Sequence, residues 1–516
     1  MKGHVNSKSV KMWNTARFGF LLHFFSITVL VLSWNIFQPP FASVDEAAHA
    51  SRAYAAVHGK LFFPSNNNSP IGEVESVSAP RWILPIDANE SPYCFWTKRS
   101  ITADCGIDKW SDGTIIERPN ATAQYFPTFY AVSGLPSLFL EGKTAYYAMR
   151  LIGSLFFLSI LALTFFILYK FYPKRILTVI YIALTPITFL GAGTLTPNPI
   201  EVISSMTLAL LINVFLDGER RNCLSSNDLR FMYFCIPLVQ FLLLTSRPSG
   251  LVWSLLIWMV FLTNNLRMAK IQNSLFKNRL LLQLIVIQHV IAAIFLYFHR
   301  PKVAINLYGP QYDVIHAISF GLQNLVEQFR GLVGIIGMDV YLPEFAYAAC
   351  LGFLGYLCIT FFCDLEKRVL RFSRYIVGFL FFLLCSIATF ADYYYRNIFT
   401  HMWQGRYSAP LYALFVLFLV LYIPRDSALV LISTLMMMIN AIGMILAYIR
   451  YSQGFTNAEC CGVYAPNSVV AKWLPFGMGL PQLISLMLLM VSSAFFGLVI
   501  ATKRENVGEK NGSPQI

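Results

Sequence analysis

The chain has 516 residues, of which 56% are hydrophobic and only 13% charged, and its mean hydropathy is +0.58. A soluble protein of this length could not hide that much apolar surface in its core, so the composition excludes a soluble globular protein. The formal charge of +13 does not indicate a nucleic-acid partner, because most basic residues lie in short loops between apolar runs.

About 12 apolar segments predict an all-α polytopic membrane protein that forms a single integral membrane domain, 1–516. The first segment is long and has no A-x-A-like cleavage site before "QPPF", so we interpret it as a retained helix. The expected spans are 18–37, 144–169, 175–193, 199–216, 231–245, 250–263, 280–298, 346–363, 374–391, 408–423, 428–449 and 480–500.

Lysine and arginine concentrate in alternate connections, which predicts a plasma (inner) membrane protein with both termini in the cytoplasm. This topology leaves three extracytoplasmic segments, 38–143, 299–345 and 450–478. The first is large enough for a small subdomain, and its aromatic- and proline-rich stretches suit helices lying along the membrane interface. It also holds Cys94 and Cys105, which could form a disulfide in an oxidising compartment.

The stretch "FASVDEAAHASRAY" follows the first span directly. Ser43 and Glu46 fit a capping box, and Asp45 would then lie in the first helical turn. The capping box leaves His49 and Arg52 unexplained. Asp45, His49 and Arg52 are spaced i, i+4, i+7 and would project from one helix face. A carboxylate, an imidazole and a guanidinium placed together could activate a hydroxyl and hold an anion.

A second polar stretch, "YYYRNIFTHMWQGRYSAP", contains Arg396 and Arg406 in a short outer loop, where arginine is disfavoured by topology. Arginine offers donors that match phosphate, although snorkelling toward lipid headgroups is the alternative interpretation. Further outer-facing cations suggest an anionic substrate, and for each a structural ion pair is the alternative. These are Arg150, Arg247 and Arg300.

No Walker motif, G-x-G-x-x-G fingerprint, H-E-x-x-H or G-x-S-x-G is present, and the first loop has no D-x-D signature. These absences disfavour direct use of a nucleotide. Any activated donor is therefore expected to be a membrane lipid.

Three motifs in order, "PPFASVDEAAHASRAY", "YFPTFY" and "QGRY", resemble the GT-C superfamily of multi-spanning glycosyltransferases. They are most similar to a bacterial GT-C-like family of predicted membrane proteins of unassigned function. The resemblance implies a GT-C-like bundle that transfers a sugar from a polyprenyl-phosphate donor to a cell-envelope glycan acceptor, with inversion, as in envelope polysaccharide biosynthesis.

By that resemblance Asp45 is the general base, with Glu46 as the less favoured candidate. His49 and Arg52 would orient the base or bind the donor phosphate, and Arg406 and Tyr407 would contact that phosphate. We also place Arg247, Arg300 and Arg396 among the expected substrate-binding residues. A metal is not required, although two carboxylates beside His49 leave room for a divalent ion.

Two alternatives remain open from the sequence. An O-antigen-type polymerase or ligase also has about 12 spans and outer arginines, but places its long outer loops later in the chain. A transporter or flippase of a lipid-linked anion usually shows paired repeats and midplane ions, and no repeat is visible here.

Overall fold

The structure is a computed structural model. It describes residues 7–60, 65–66, 74–83, 94–106, 110, 113–120, 122, 125–172, 177–221, 224–265, 279–299, 314–336, 339–363, 370–394, 404–422, 428–456, 466–468 and 470–509. Within these ranges nine helices are long and apolar enough to cross a membrane. The prediction of an all-α polytopic membrane protein is therefore confirmed. Arg300 and Arg396 lie outside the described residues.

The helices before the middle of the chain are α1 Ser7–Phe37, α2 Glu46–Val57, α3 Pro127–Gly134, α4 Gly142–Phe171, α5 Thr178–Ala183, α6 Pro186–Gly193, α7 Asn198–Arg221, α8 Ser226–Ser246 and α9 Gly250–Asn265. Those after it are α10 Arg279–Phe298, α11 Val314–Gln323, α12 Leu325–Val333, α13 Glu344–Cys363, α14 Leu370–Tyr394, α15 Ala409–Tyr422, α16 Ala428–Gln453 and α17 Leu480–Glu509.

Two further predicted spans, Gly250–Asn264 and Gly405–Leu421, are shorter apolar helices. The predicted span 175–193 is not one helix, because α5 and α6 are separated at Leu184 and Thr185, directly before Pro186. Proline lacks an amide hydrogen and disfavours a helical conformation in the residue before it. Thr185 is accordingly extended (φ −74°, ψ 163°). The break leaves two half-length helices buried in the bundle.

One end of the bundle, which we call the loop face, is where α1 ends and α4 begins and where segment 38–141 connects them. Hydrogen bonds fix the start of this segment, to α4 and to a later part of the segment itself. The Phe41 amide donates to the Tyr146 hydroxyl (3.0 Å), and the Trp96 indole donates to the Phe41 carbonyl (2.8 Å). Phe41 and Tyr146 are fully buried, so the segment begins inside the core.

The connecting segment differs in part from the predicted interfacial helices, because it contains a three-stranded antiparallel sheet. Its strands are β1 Ser65–Asn66, β2 Val74–Pro80 and β3 Ile115–Pro119, in the order β1-β2-β3 with Val77 opposite Arg118. Val77 is buried with Ala55 of α2, so the sheet covers one side of that helix. The aromatic- and proline-rich stretch at 125–140 is helical as expected in α3 and in a 3₁₀ turn, Leu135–Leu138.

Cys94 and Cys105 form a disulfide in this segment. The loop that it closes supplies backbone acceptors to the buried guanidinium of Arg450, which belongs to α16. Arg450 also reaches Asp339 (2.8 Å), which precedes β5 in the short hairpin β4 Ile335–Ile336 and β5 Val340–Tyr341. The acceptors in the loop are the carbonyls of Phe95, Lys98 and Ile101. Arg450 thus joins α16 to segment 38–141 and to the β4–β5 hairpin.

Candidate functional site

The turn between α1 and α2 places the Asp45 carboxylate. Asp45 is the N-cap residue of α2 and has a left-handed backbone (φ 62°, ψ 7°), a conformation that aspartate tolerates better than most residues. Its side chain makes no capping hydrogen bond and is 48% exposed. The capping box predicted Asp45 within the first turn of the helix. The structure instead places Asp45 before that turn, with a carboxylate that does not cap the helix.

Glu46 has a different environment from its neighbour. Its carboxylate accepts two hydrogen bonds from Arg150, at 2.7 and 2.8 Å, and both side chains are fully buried. The expected contact with the Ser43 amide is present but long (3.4 Å), and the Leu195 amide also donates to Glu46 (2.9 Å). Arg150 uses its remaining donors on carbonyls of 35–39. Glu46 thus serves mainly as half of a buried ion pair that holds the end of α1.

Arg406 contacts Asp45 across the fold, with its Nη2 atom 2.5 Å from the Asp45 carboxylate. The preceding residue explains this position. A Cβ on Gly405 would collide with the Gln328 carbonyl of α12 and would lie 2.6 Å from the Leu332 amide nitrogen. Only glycine permits this approach of the two backbones. The glycine of "QGRY" therefore seats the 3₁₀ turn Gly405–Ser408 on α12 and directs Arg406 toward Asp45.

Two guanidiniums lie near the Tyr407 ring, with the Arg247 carbon Cζ 4.2 Å and the Arg406 carbon Cζ 5.3 Å from its centroid. Arg247 caps α8, is 7% exposed, and donates to the Tyr125 hydroxyl (3.3 Å). Its Nε and Nη1 atoms are buried without a hydrogen-bond partner among the described residues. The nearest carboxylate, Glu201, is 3.9 Å from Nη1 and accepts from Ser249. Arg247 therefore retains donors for a ligand.

His49 is buried against the second predicted motif. Its Nδ1 atom is 2.8 Å from the Tyr130 hydroxyl, and its ring also lies beside Tyr125. Burial lowers the pKa of His49 to about 3, opposed by the Asp45 carboxylate and reinforced by the Arg247 and Arg406 guanidiniums. At neutral pH His49 is uncharged. It can orient neighbouring groups by hydrogen bonding but offers no positive charge to a phosphate.

Arg52 is fully buried one turn farther along α2. Its guanidinium donates to the carbonyls of Lys60 (3.2 Å) and Tyr125 (3.0 Å) and lies over the Tyr130 ring. These contacts fasten α2 to the start of α3. Helical spacing predicted that Arg52 shares one face with Asp45. In the structure its guanidinium binds backbone carbonyls, so Arg52 is not counted among the residues that face a ligand.

A small recess of about 20 Å³, partly open to solvent and with room for about one water molecule, adjoins the Asp45–Arg406 ion pair. Its walls come from the α1–α2 turn, α6, the start of α7 and the 3₁₀ turn that carries Arg406. Five of the side chains that line the recess are polar. They are Ser43, Thr188, Thr196, Asn198 and Arg406.

The structure therefore brings together Asp45, Arg247, Arg406 and Tyr407, four of the residues that the sequence singled out. We call them the loop-face site. The "YFPTFY" motif contains two tyrosines whose roles the sequence did not indicate. Tyr125 positions Arg247 and Tyr130 positions His49.

Among the described residues no group of three or more histidine, cysteine, aspartate or glutamate side chains could hold a metal ion. Glu46, the second carboxylate considered for such a site, is engaged by Arg150. Glu46 is therefore not a free metal ligand beside His49.

Comparison with known proteins gives one match. The model of a family described as "Predicted membrane protein (DUF2142)" matches residues 28–415, which include the whole α1–α2 turn and the "QGRY" motif. No curated protein and no solved structure matches the chain.

Proposed function

We propose that this chain, which belongs to the DUF2142 family of predicted membrane proteins, is an inverting glycosyltransferase that uses a polyprenyl-phosphate sugar. Its acceptor would be a cell-envelope glycan on the extracytoplasmic side. One observation carries the proposal. A half-exposed carboxylate, Asp45, is bound to Arg406, and the ring of Tyr407 lies near both Arg406 and the buried, incompletely bonded Arg247.

Asp45 is suited to the role of base because it is the exposed carboxylate of the three described near the site. Its side chain is 48% exposed, whereas those of Glu46 and Glu201 are 0% and 1% exposed. A double displacement needs a nucleophile that forms a covalent glycosyl-enzyme and then a base for the second step. A phosphate leaves as an anion and needs no general acid, so one accessible carboxylate acting as base is enough for direct displacement, which inverts the anomeric centre.

Arg247 and Arg406 are suited to the departing phosphate. In the proposed step the acceptor hydroxyl oxygen bonds to the anomeric carbon while the bond from that carbon to the phosphate oxygen breaks. The hydroxyl proton goes to Asp45, and the polyprenyl phosphate leaves with the electron pair. Negative charge grows on the phosphate, and guanidiniums already held near it by Tyr125 and Tyr407 lower the barrier.

Two observations support an extracytoplasmic position for the site. The Cys94–Cys105 disulfide belongs to the segment that covers the loop face, and disulfides persist in oxidising compartments. Basic residues concentrate in the connections at the opposite end of the bundle. Both support an extracytoplasmic site, where a lipid-linked sugar is available and a nucleotide sugar is not.

Two alternatives use some of the same contacts. An O-antigen-type polymerase or ligase would also need a base beside a phosphate site. A transporter of a lipid-linked anion is favoured by one feature, the break between α5 and α6, because discontinuous helices are common at transport sites. Yet α5 and α6 are buried, and the described site residues lie at one end of the bundle.

The decisive experiment supplies purified protein in vesicles with a polyprenyl-phosphate sugar and candidate acceptor glycans. We expect transfer by the wild type, a loss of about 10²–10⁴-fold in Asp45→Asn, and a loss of about 10²-fold in Arg406→Ala. Asparagine also tolerates the left-handed backbone at position 45, so Asp45→Asn should fold. Glu327→Gln, which changes an exposed carboxylate paired with Arg330, is the matched control.

Near-full turnover by Asp45→Asn would show that the base is assigned wrongly. Movement of the lipid-linked sugar across the vesicle membrane, without transfer to any acceptor, would support the transporter instead.

A further inference from the structure

Three buried arginines, Arg52, Arg150 and Arg450, are held in place by backbone carbonyls. Each donates to two or more carbonyl oxygens. Arg150 and Arg450 also bind a carboxylate. A carbonyl oxygen accepts hydrogen bonds whether or not a neighbouring carboxylate is protonated. These three guanidiniums therefore keep their positions when a nearby carboxylate loses its charge.

Arg406 is held by a carboxylate instead. Its guanidinium lies 2.5 Å from the Asp45 carboxylate and has a long contact with the Tyr407 hydroxyl (3.5 Å). Among the described residues no backbone carbonyl accepts from Arg406, and its buried Nε atom has no hydrogen-bond partner there. The Asp45 side chain makes no capping hydrogen bond to its own helix. The position of the Arg406 guanidinium therefore depends mainly on the charge of one carboxylate.

We propose that Asp45 keeps Arg406 engaged until Asp45 takes the proton of the acceptor, and that Arg406 then passes to the leaving phosphate. This inference rests on the proposed transfer reaction and adds the event that makes Arg406 available. Asp45 has two tasks in this scheme, because it is both the base and the restraint on a phosphate-binding cation. Protonation of the base and stabilisation of the leaving group are thereby coupled through one ion pair.

The charges balance in this transfer. The lipid-linked donor is a phosphodiester with one negative charge, and the polyprenyl phosphate that leaves is a monoester with about two. The acceptor oxygen bonds to the anomeric carbon, the bond from that carbon to the phosphate oxygen breaks, and the acceptor proton goes to the Asp45 carboxylate. One negative charge is lost at Asp45 while one appears on the phosphate. Arg406 can follow that charge from one partner to the other, and the total charge of the site stays the same.

Arg247 supplies a cation that is not restrained in this way. The nearest oxygen of Glu201 is 3.9 Å from its Nη1 atom, which is beyond hydrogen-bond distance. Its Nε and Nη1 atoms have no hydrogen-bond partner in the described part of the chain. Its guanidinium lies near the Tyr407 ring, as that of Arg406 does. We therefore expect the singly charged donor to bind through Arg247, and the more highly charged leaving phosphate to bind through both arginines.

The test measures binding of a product phosphate without turnover. Farnesyl phosphate, a short prenyl monophosphate, is titrated against the full-length protein in nanodiscs by calorimetry, with farnesol as the uncharged probe. Asp45→Asn should bind farnesyl phosphate about fivefold more tightly than the wild type does, the equivalent of an ion pair with a half-exposed partner. Asp45→Gly should show the same gain without an amide side chain, and glycine suits the left-handed backbone there. Farnesol should bind equally to all variants.

A double-mutant cycle separates release of Arg406 from simple repulsion between Asp45 and the phosphate. Asp45→Asn is combined with Arg406→Ala, and the gain should fall below about twofold in the Arg406→Ala background. Asp339→Asn is the matched control, because it removes the carboxylate partner of Arg450 while three carbonyls still hold that guanidinium. It should bind farnesyl phosphate as the wild type does.

Four results overturn the inference: farnesyl phosphate binds no better than farnesol, Asp45→Asn binds it no more tightly than the wild type does, the gain persists in the Arg406→Ala background, or Asp339→Asn shows an equal gain. Failure of the proposed function is separable from these. If no sugar is transferred but the gain depends on Arg406, the glycosyltransferase assignment fails and the coupling between Asp45 and Arg406 stands. If sugar is transferred but the gain is absent, the coupling alone fails.

Discussion

Asp45 and Arg406 lie 361 positions apart in the sequence, and their side chains form an ion pair of 2.5 Å at the loop face. Asp45 is brought there by the left-handed turn that precedes α2, and Arg406 by the packing of Gly405 on α12. The neighbouring residue, Glu46, faces the opposite way into a buried ion pair with Arg150. Two adjacent carboxylates therefore have separate tasks, one exposed to ligand and one inside the fold.

The first prediction separates these two carboxylates. Glu46→Gln should lower the free energy of unfolding by about 3–5 kcal/mol, because it leaves the buried Arg150 charge without its partner. Asp45→Asn should change it by only about 0–1 kcal/mol, since Asp45 is half exposed. Thermal unfolding of both variants in the same detergent measures the difference. Equal destabilisation would contradict the assignment of Glu46 to structure.

A second prediction concerns the glycine that precedes Arg406. Gly405→Ala should cost about 1–3 kcal/mol of stability, because the new methyl group must push α12 away from the turn. It should also reduce transfer, because Arg406 moves with that turn. The control is Gly352→Ala, where a Cβ meets nothing within 4 Å. Stability and transfer are measured together, and a Gly405→Ala protein that behaves like the control would show that the contact is dispensable.

The third prediction tests the geometry of Arg247. Lysine keeps the charge but removes the planar donors, of which Nε and Nη1 have no partner among the described residues. Arg247→Lys should therefore lower kcat/KM for the lipid-linked donor by about 10-fold or more. Arg330→Lys, in a surface ion pair with Glu327 and Glu344, should leave it unchanged. If Arg247→Lys retains wild-type kinetics, a point charge suffices there.

The fourth prediction follows from His49, whose pKa is lowered by burial to about 3. Above pH 6.5 the side chain is neutral in both folded and unfolded chains. Between pH 6.5 and 3 the unfolded chain binds a proton that the folded chain does not, so stability falls as pH falls. His49→Gln should reduce this slope by up to about 1.4 kcal/mol per pH unit. Unfolding free energies measured across that range test it, and an unchanged slope would mean that His49 titrates normally.

The fifth prediction concerns the disulfide. Reduction, or the Cys94→Ala/Cys105→Ala double variant, should cost about 3 kcal/mol, as expected for a loop of this length. The same change should loosen the three carbonyls that hold Arg450. Thermal unfolding with and without reductant checks it, and the double variant should be insensitive to reductant. A wild type that is equally insensitive would mean that the bond adds no stability.

The sequence by itself determined the class of the protein and the end of the bundle where polar chemistry would gather. Apolar length alone decides which segments can cross a bilayer, so the expected spans agree with nine long helices and two shorter ones in the described part of the chain. Local motifs also singled out Asp45, Arg247, Arg406 and Tyr407 before any contact among them was known.

Tertiary structure decided which of the polar residues face a ligand. Helical spacing placed Arg52 on a face with Asp45, but the carbonyls that occupy Arg52 come from Lys60 and Tyr125. The capping pattern explained Glu46 locally, but its principal partner, Arg150, is 104 residues away. Periodicity reports which side of a helix a residue occupies. What fills the space on that side depends on distant segments, and the partner atoms alone decide whether a charged group is already satisfied or still free to bind.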